Sequence, residues 1–126
     1  MATVNLNRDE YAINDGNAGK VIIRDLADIP GGRALDVSSW PDDTILSGHI
    51  IAHNTVTGEY FPLGVTSGAY NSLETNEEYA GVLKVAVLKA KPFAAIMTVG
   101  EVNAAASPYP VTAAIKAGIP QIKFLY

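Results

Sequence analysis

The chain has 126 residues, of which 48% are hydrophobic and 17% are charged, and its formal net charge is −4. This length suits one domain, and the low charge, against an average of roughly 25%, favours either a surface partly covered by a partner or simply a small β-rich domain. The negative net charge and the lack of a basic run exclude a nucleic-acid partner. The lack of cysteine excludes disulfides and thiolate sites. No apolar run reaches about 18 residues, which excludes a membrane-spanning segment.

The chain begins with a polar, Asn-rich segment, residues 1–20, which we predict to be an extended, flexible arm ahead of a single β-rich domain over residues 21–126. Its larger apolar side chains are those of Val4, Leu6, Tyr11 and Ile13. The segment lacks the basic start and apolar core of a signal peptide, which predicts synthesis in a cytoplasm. An arm of this composition can become ordered on a partner, and simple fraying of a terminus is the alternative.

The first half of the predicted domain consists of short apolar runs separated by turn residues. The runs recur at spacings of about 8–12 residues, which is typical of a small β-sandwich or barrel-like domain. The run "VIIRDLADI" is predicted to be a strand, or a strand that passes into a helical turn before Pro30. The run "ILSGHIIAH" is a second predicted strand, whose glycine indicates a bulge or bend. Gly58 marks a hairpin tip before a further strand.

The second half contains the clearest predicted strand, "AGVLKVAVLKAK", which begins at Ala80. Both of its faces are largely apolar, so it is predicted to be central, with "FAAIMTVGEV" as an antiparallel neighbour. The polar stretch from Thr66 to Tyr79 is predicted to be a long surface connection, because a buried loop leaves its backbone groups unpaired.

The C-terminal stretch predicts one short helix followed by a terminal strand. The helix is expected from Thr112 to Ala117, with Pro110 at the first helical position and Gly118 as a left-handed stop. About two turns are too few to be stable alone, so Ile115 and Ile119 are expected to hold the helix by packing. The closing run "QIKFLY" is too apolar for an exposed strand.

No constellation in the sequence predicts catalysis, a metal site or a cofactor. The two histidines, His49 and His53, would lie about 13 Å apart along a strand, too far for one metal ion. Acidic residues are scattered through turns, as in Asp42 and Asp43, and no serine stands in a G-x-S-x-G elbow. We therefore predict that the protein is not an enzyme, with a small hydrolase as the least favoured hypothesis.

The order of these elements resembles that of head decoration and head fibre proteins of tailed bacteriophages. The likeness rests on "PGGRAL", "SGHIIAHNTVTGEY", "YAGVLKVAV" and above all "AAIMTVGEVNAAASPYPVTAAIKAGIPQIKF". It covers roughly Pro30 to Phe124, and its motifs are turns and small residues rather than catalytic signatures. The loop from Thr66 to Tyr79 is a departure from the pattern.

The resemblance implies a structural virion protein, made in the host cytoplasm, that binds the outer surface of the capsid. Such proteins, often homotrimers, bridge neighbouring major capsid subunits and reinforce the shell. Within this reading the arm residues Val4, Leu6, Tyr11 and Ile13 are the candidates for capsid contact. The candidates for self-association in the helix are Ala113, Ala114 and Ala117, for which packing within the chain is the alternative. The candidates in the terminal strand are Ile122, Phe124 and Tyr126.

The second hypothesis is a carbohydrate- or surface-binding β module that acts in attachment. Its stacking platforms would be exposed aromatic side chains, which can lie flat against a ligand. The candidates are Tyr60, Phe61, Tyr70 and Tyr79.

Overall fold

The computed structural model describes residues 18–126. It begins with one helical turn, α1 (Ala18–Val21), and contains a second helix, α2 (Ala113–Gly118), and a 3₁₀ turn at Ala104–Ala106. The strands are β1 (Ile22–Asp28), β2 (Arg33–Ala34), β3 (Thr44–Ile45), β4 (Ile50–Asn54), β5 (Tyr60–Pro62), β6 (Val65–Thr66), β7 (Ala69–Tyr70), β8 (Glu77–Leu83), β9 (Val87–Leu88), β10 (Phe93–Ala94), β11 (Ile96–Asn103) and β12 (Ile122–Leu125). Within this part of the chain no helix is long and apolar enough to cross a membrane.

Six strands form the main sheet, in the order β1-β11-β8-β4-β5, with β12 as a further partner of β11. Neighbours are antiparallel except β12, which runs parallel to β11. The long strand β11 has β1 along one edge. Along its other edge, its first two residues pair with β8 and its last four pair with β12. Three two-stranded sheets, β2/β10, β3/β9 and β6/β7, make up the rest of the β structure in residues 18–126.

The centre of the main sheet is buried on both faces. On β4, Ile50 and Ala52 lie on one face and Ile51 on the other, as the two-residue period of a strand requires. The first face carries the helix-side core, which includes Ile115 and Ile119 from around α2. The other face carries the small-sheet core, to which residues of β3, β9 and β10 and the neighbours of β2 contribute.

The predicted mainly β class, with one short C-terminal helix, is confirmed. The two small sheets β2/β10 and β3/β9 form a second layer over the main sheet through the small-sheet core. The antiparallel pairing of the predicted central strand with its successor is also confirmed, since Ile96 lies opposite Leu83. The hairpin with Gly58 at its tip joins β4 to β5, and Gly58 has a φ of 78°.

Two predicted single strands are each divided in the structure. The stretch from Ala80 to Lys91 bends after Leu83, so that β8 pairs with β11 and β4, whereas β9 pairs with β3 in another sheet. The run "ILSGHIIAH" is likewise split between β3 and β4 at Gly48, whose φ is 87°. The bend that the glycine of the second run predicted is therefore confirmed. The run after Ala80 carries no such signal, because both of its halves are apolar and only their partners differ.

The connection from Thr66 to Tyr79 is more structured than predicted. It contains the small hairpin β6/β7, with a tight turn at Ser67 and Gly68, and its last residues belong to β8. Tyr70 is buried in the helix-side core and its hydroxyl accepts a hydrogen bond from the backbone N–H of Ile50 at 3.3 Å. The prediction of a purely surface loop was therefore wrong for Tyr70.

The C-terminal helix begins and ends differently from the prediction. Thr112, not Pro110, opens it, because its Oγ1 accepts a hydrogen bond from the backbone N–H of Ile115 at 3.3 Å. Gly118 is the last helical residue rather than a left-handed stop. Its missing side chain leaves room for the ring of Tyr79, which a Cβ atom would strike. The predicted packing of Ile115 and Ile119 is confirmed.

Candidate functional site

The predicted arm meets the domain at α1. The proposed capsid-contact residues Val4, Leu6, Tyr11 and Ile13 lie outside the described residues. At the junction, Val21 is fully buried in the helix-side core and packs against Gly48, where a Cβ atom would collide with it. The first residue of the predicted domain is thus packed in the core directly before β1.

The strand β1 is the most exposed part of the main sheet. It pairs with β11 on one side, and the described residues place no strand beyond it. Six of its seven residues are exposed, including Ile23 at 46% and Leu26 at 63%. Three register shifts interrupt its pairing with β11, and such bulges are typical of sheet edges. Among the described residues, β1 is therefore an edge strand with outward apolar side chains.

Ion pairs hold β1 against its neighbours. The Arg24 guanidinium lies 3.5 Å from the carboxylate of Glu101, and the Lys84 ammonium contacts Asp25 and lies 2.9 Å from Asp28. The hydrogen bond from Lys84 lowers the pKa of Asp25, and the same two carboxylates raise the pKa of Lys84. The charged side chains of β1 are thus engaged within the chain, whereas Ile23 and Leu26 are not covered.

The predicted self-association residues differ in how far they are exposed. The side chains of Ala113, Ala114 and Ala117 are exposed on α2, so the alternative that these three pack within the chain is wrong. Tyr126 is 91% exposed, and Phe124 is half-buried against the helix-side core.

Ile122 does not fit its predicted role. It is 3% exposed and lies in the helix-side core, on the strand that pairs with β11. Its side chain is therefore occupied inside the chain and cannot contact a second copy in this fold.

A groove of about 330 Å³, called the β5 groove below, lies along β5. Its walls come from four separate stretches, 36–40, 54, 59–64 and 71–77. Backbone hydrogen bonds bring them together: Asp36 N–H donates to Tyr60 O at 2.7 Å, and Asn71 N–H donates to Gly64 O at 2.8 Å. No sequence motif spans these stretches, and for that reason the sequence did not reveal the groove.

The lining of the β5 groove combines apolar and polar side chains, and its charged groups are all negative. No lysine, arginine or histidine lines it, whereas four carboxylates do: Asp36, Glu59, Glu74 and Glu77. Two of them already accept internal hydrogen bonds. Asp36 accepts from the Ser38 N–H at 3.1 Å and the Ser38 hydroxyl at 2.7 Å, which lowers the pKa of Asp36, and Glu77 accepts from the Glu74 N–H at 3.0 Å.

The four aromatic candidates for ligand stacking do not form one platform. Tyr70 is buried, which excludes it and raises the pKa of its hydroxyl. Tyr60 stacks on His53, with ring centroids 4.4 Å apart, and Tyr79 packs on Gly118. Phe61 is half-buried and lines the β5 groove. Of the four, Phe61 alone takes part in this concave site.

The two histidines occupy unrelated environments. His53 is half-buried, with its Nδ1 3.0 Å from the carboxylate of Glu78. His49 is fully buried, and its Nε2 lies 2.8 Å from the carbonyl oxygen of Leu63. Its Nδ1 has no hydrogen-bond partner among the described residues, and burial lowers its pKa to about 4. Within residues 18–126 no group of three His, Asp or Glu side chains could hold a metal ion.

Comparison with known proteins returned no relative. No family model, no curated protein and no solved structure matches the chain.

Proposed function

We propose that the protein is a non-catalytic decoration protein of a tailed bacteriophage, which binds the outer surface of the capsid as a homotrimer and stabilises the shell by bridging major capsid subunits. The observation that carries the proposal is the exposed edge strand β1 with its outward apolar side chains. This strand begins directly after the buried Val21 and offers one contact side to a larger partner.

The apolar side chains of β1 support this contact side. An exposed edge strand is a template for pairing with another chain, and natural proteins usually cover or charge such edges. Here the charges of Arg24 and Asp25 are neutralised by partners inside the chain, and Ile23 and Leu26 remain outside. Burying them against a capsid would add roughly 1–2 kcal/mol for each side chain.

The exposed surface of α2 supports self-association. Ala113, Ala114 and Ala117 present small side chains there, which allow another backbone to approach closely. Tyr126 adds a large exposed ring at the end of the chain. A trimer would engage three contact sides at once, so that weak individual contacts give firm attachment when the lattice geometry matches.

Binding alone suffices for such a role. A decoration protein stabilises the mature shell only if it binds that shell more tightly than the immature one. The exposed apolar residues of β1 can serve this function without any reacting group. In the virion the protein would lie on the capsid surface, after synthesis in the host cytoplasm.

The test of capsid binding uses the full chain with purified expanded and unexpanded capsids of the phage that encodes it. We expect co-sedimentation with expanded capsids only, and loss of most of that binding in the double variant Ile23→Ser, Leu26→Ser. The matched control is Val56→Ser, which changes an apolar residue that is 72% exposed at the β4–β5 hairpin tip. Equal binding by the edge variant and the wild type would remove β1 from the contact, and no binding to either capsid would refute the proposal.

Self-association is tested separately by the mass of the protein in solution. We expect a trimer by light scattering and a shift to monomer in the variant Ala117→Glu. Val56→Glu introduces the same charge away from α2 and should remain trimeric. A wild-type protein that stays monomeric at all concentrations would contradict the trimer.

A further inference from the structure

We propose that the β5 groove is a binding site for a neutral saccharide of one or two sugar units. The inference does not depend on the capsid-binding proposal, because the groove lies along β5, at the opposite end of the main sheet from β1. The groove volume of about 330 Å³ lies at the lower end of the range of small-ligand sites.

The walls of the groove combine an apolar strip with polar groups. Phe61, Pro62 and Leu63 line it along β5, and Phe61 is half-buried, so part of its surface reaches solvent. A pyranose ring presents an apolar C–H face and a rim of hydroxyl groups. An aromatic and aliphatic strip beside polar side chains matches those two surfaces.

The hydrogen-bond donors of the groove are uncharged. Asn54 Oδ1 accepts from the N–H groups of Val56 and Thr57 at 2.9 and 3.1 Å, which directs its amide NH₂ away from the hairpin turn. The structure shows no partner for that NH₂ among the described residues. Asn71 adds a second carboxamide, whose Nδ2 packs where a side chain on Gly64 would have to be.

The acceptors of the groove are carboxylates that retain unused lone pairs. A carboxylate has about four acceptor positions, and Asp36 and Glu77 use one or two of them internally. Each sugar hydroxyl both donates and accepts a hydrogen bond, so it can bridge a carboxylate and an amide. This mixture of uncharged donors and strong acceptors is the pairing that a polyhydroxyl ligand requires.

The charge of the lining narrows the ligand class. With four carboxylates and no base, the groove repels phosphorylated or carboxylated sugars. The same carboxylates would attract a cation, so the choice of a neutral ligand rests on the apolar strip of β5 and on the uncharged amides of Asn54 and Asn71. A neutral saccharide can use all of these groups, whereas an arginine side chain would use mainly the carboxylates.

The experiment is a titration of the ¹⁵N-labelled full chain, followed by amide chemical shifts. The probes are maltose, cellobiose, lactose and chitobiose, with glucose 6-phosphate as the anionic probe and arginine methyl ester as the cationic probe. We expect at least one disaccharide to shift the signals of Asn54, Phe61 and Asn71, including the side-chain NH₂ groups, and neither charged probe to do so. If the protein bound a saccharide but did not bind capsids, the saccharide proposal would stand and the capsid-binding proposal would fail.

Two variants sharpen the assignment. Asn71→Ala removes a donor, and Gly64→Ala places a Cβ atom 2.8 Å from the Asn71 Nδ2 and displaces that side chain. Each should weaken saccharide binding at least tenfold, while Val56→Ala, outside the groove, should not. Shifts caused by arginine methyl ester alone would overturn the proposal in favour of a basic ligand. The proposal would also be overturned if none of the four disaccharides shifted the groove signals. It would fail as well if both groove variants bound a disaccharide as tightly as the wild type does.

Discussion

The centre of the main sheet and its β1 edge contain similar apolar sequence in opposite environments. Ile50 and Ile51 on β4 are completely buried, because β4 has a strand on each side and a core on each face. Ile22 and Ile23 open β1 in the same way, yet Ile23 is 46% exposed. Local sequence is thus a poor guide to burial in a sheet, since burial depends on what the rest of the chain places alongside.

This difference has a functional meaning. The apolar side chains at the centre are buried and stabilise the fold, whereas Ile23 and Leu26 at the edge are exposed and can contact a binding partner. A mutation in the centre should therefore change stability, and a mutation at the edge should change binding. The following predictions test that division.

The largest effect is expected from truncating a central side chain. Leu83→Ala on β8 leaves a cavity between the strands and the small-sheet core and should lower the free energy of unfolding by about 2–5 kcal/mol. Leu26→Ala makes the same change at the edge, where Leu26 is 63% exposed, and should cost less than about 0.5 kcal/mol. Urea denaturation of both variants measures the two losses in the free energy of unfolding. Equal losses would contradict the proposed difference between centre and edge.

The second effect is a loss of stability in acid that originates in the centre. Because burial lowers the pKa of His49 from 6.5 to about 4, the unfolded chain binds its proton at a higher pH than the folded chain. Stability should be complete above pH 6.5 and should fall by about 3 kcal/mol as the pH drops to 4. Denaturation curves between pH 7.5 and pH 4 measure this loss.

The matched variants for the acid effect are His49→Gln and His53→Gln. The first should remove most of the pH dependence in this window, and the second should keep it, because it leaves the buried His49 in place. At the edge, the lowered pKa of Asp25 contributes stability that is lost only as the pH falls below the ordinary aspartate value of 3.8. A pH dependence that survives in His49→Gln would show that another group causes it.

The third effect comes from the close contact of two central strands. A Cβ atom at Gly81 on β8 would strike the backbone carbonyl oxygen of Met97 on β11. Gly81→Ala should therefore lower the free energy of unfolding by about 1–3 kcal/mol. Ala27→Ser is a similarly small change on exposed β1 and should be nearly neutral. Thermal unfolding of the two variants compares them, and a stable Gly81→Ala protein would mean that β8 and β11 can move apart.

The smallest effect concerns the ion pairs that tie the edge to the centre. Lys84→Met removes the contacts with Asp25 and Asp28 and should cost no more than about 1 kcal/mol, less in high salt. Amide hydrogen exchange should become faster in β1 and stay unchanged in β4. Lys123→Met, on an exposed position of β12, should alter neither strand. Faster exchange throughout the sheet would show that Lys84 supports the whole fold.

Much of the fold could be predicted because its signals are local. The turn residue Gly58 marked the β4–β5 hairpin, and the spacing of Ile115 and Ile119 indicated which side of α2 is buried. Pairing was harder to predict. The long apolar run after Ala80 gives no sign of its bend at Lys84, because the bend arises from the different partners of β8 and β9.

The candidate sites were predicted less well than the fold. The exposure of Ala113, Ala114 and Ala117 fits the predicted surface, but Ile122 is covered by the chain itself. The β5 groove was missed, because its walls come from stretches up to about 40 residues apart that carry no motif. Aromatic residues were chosen by type, and burial then excluded Tyr70.

The amino-acid sequence by itself determined the β-rich class, the hairpin and the short helix, since turn chemistry and apolar periodicity act between residues near each other in the chain. Only the tertiary structure decided that β1 is an edge, that Tyr70 and His49 are buried, and that four distant stretches enclose a groove. The physical reason is that exposure and concavity are created by long-range strand pairing, which depends on every partner together.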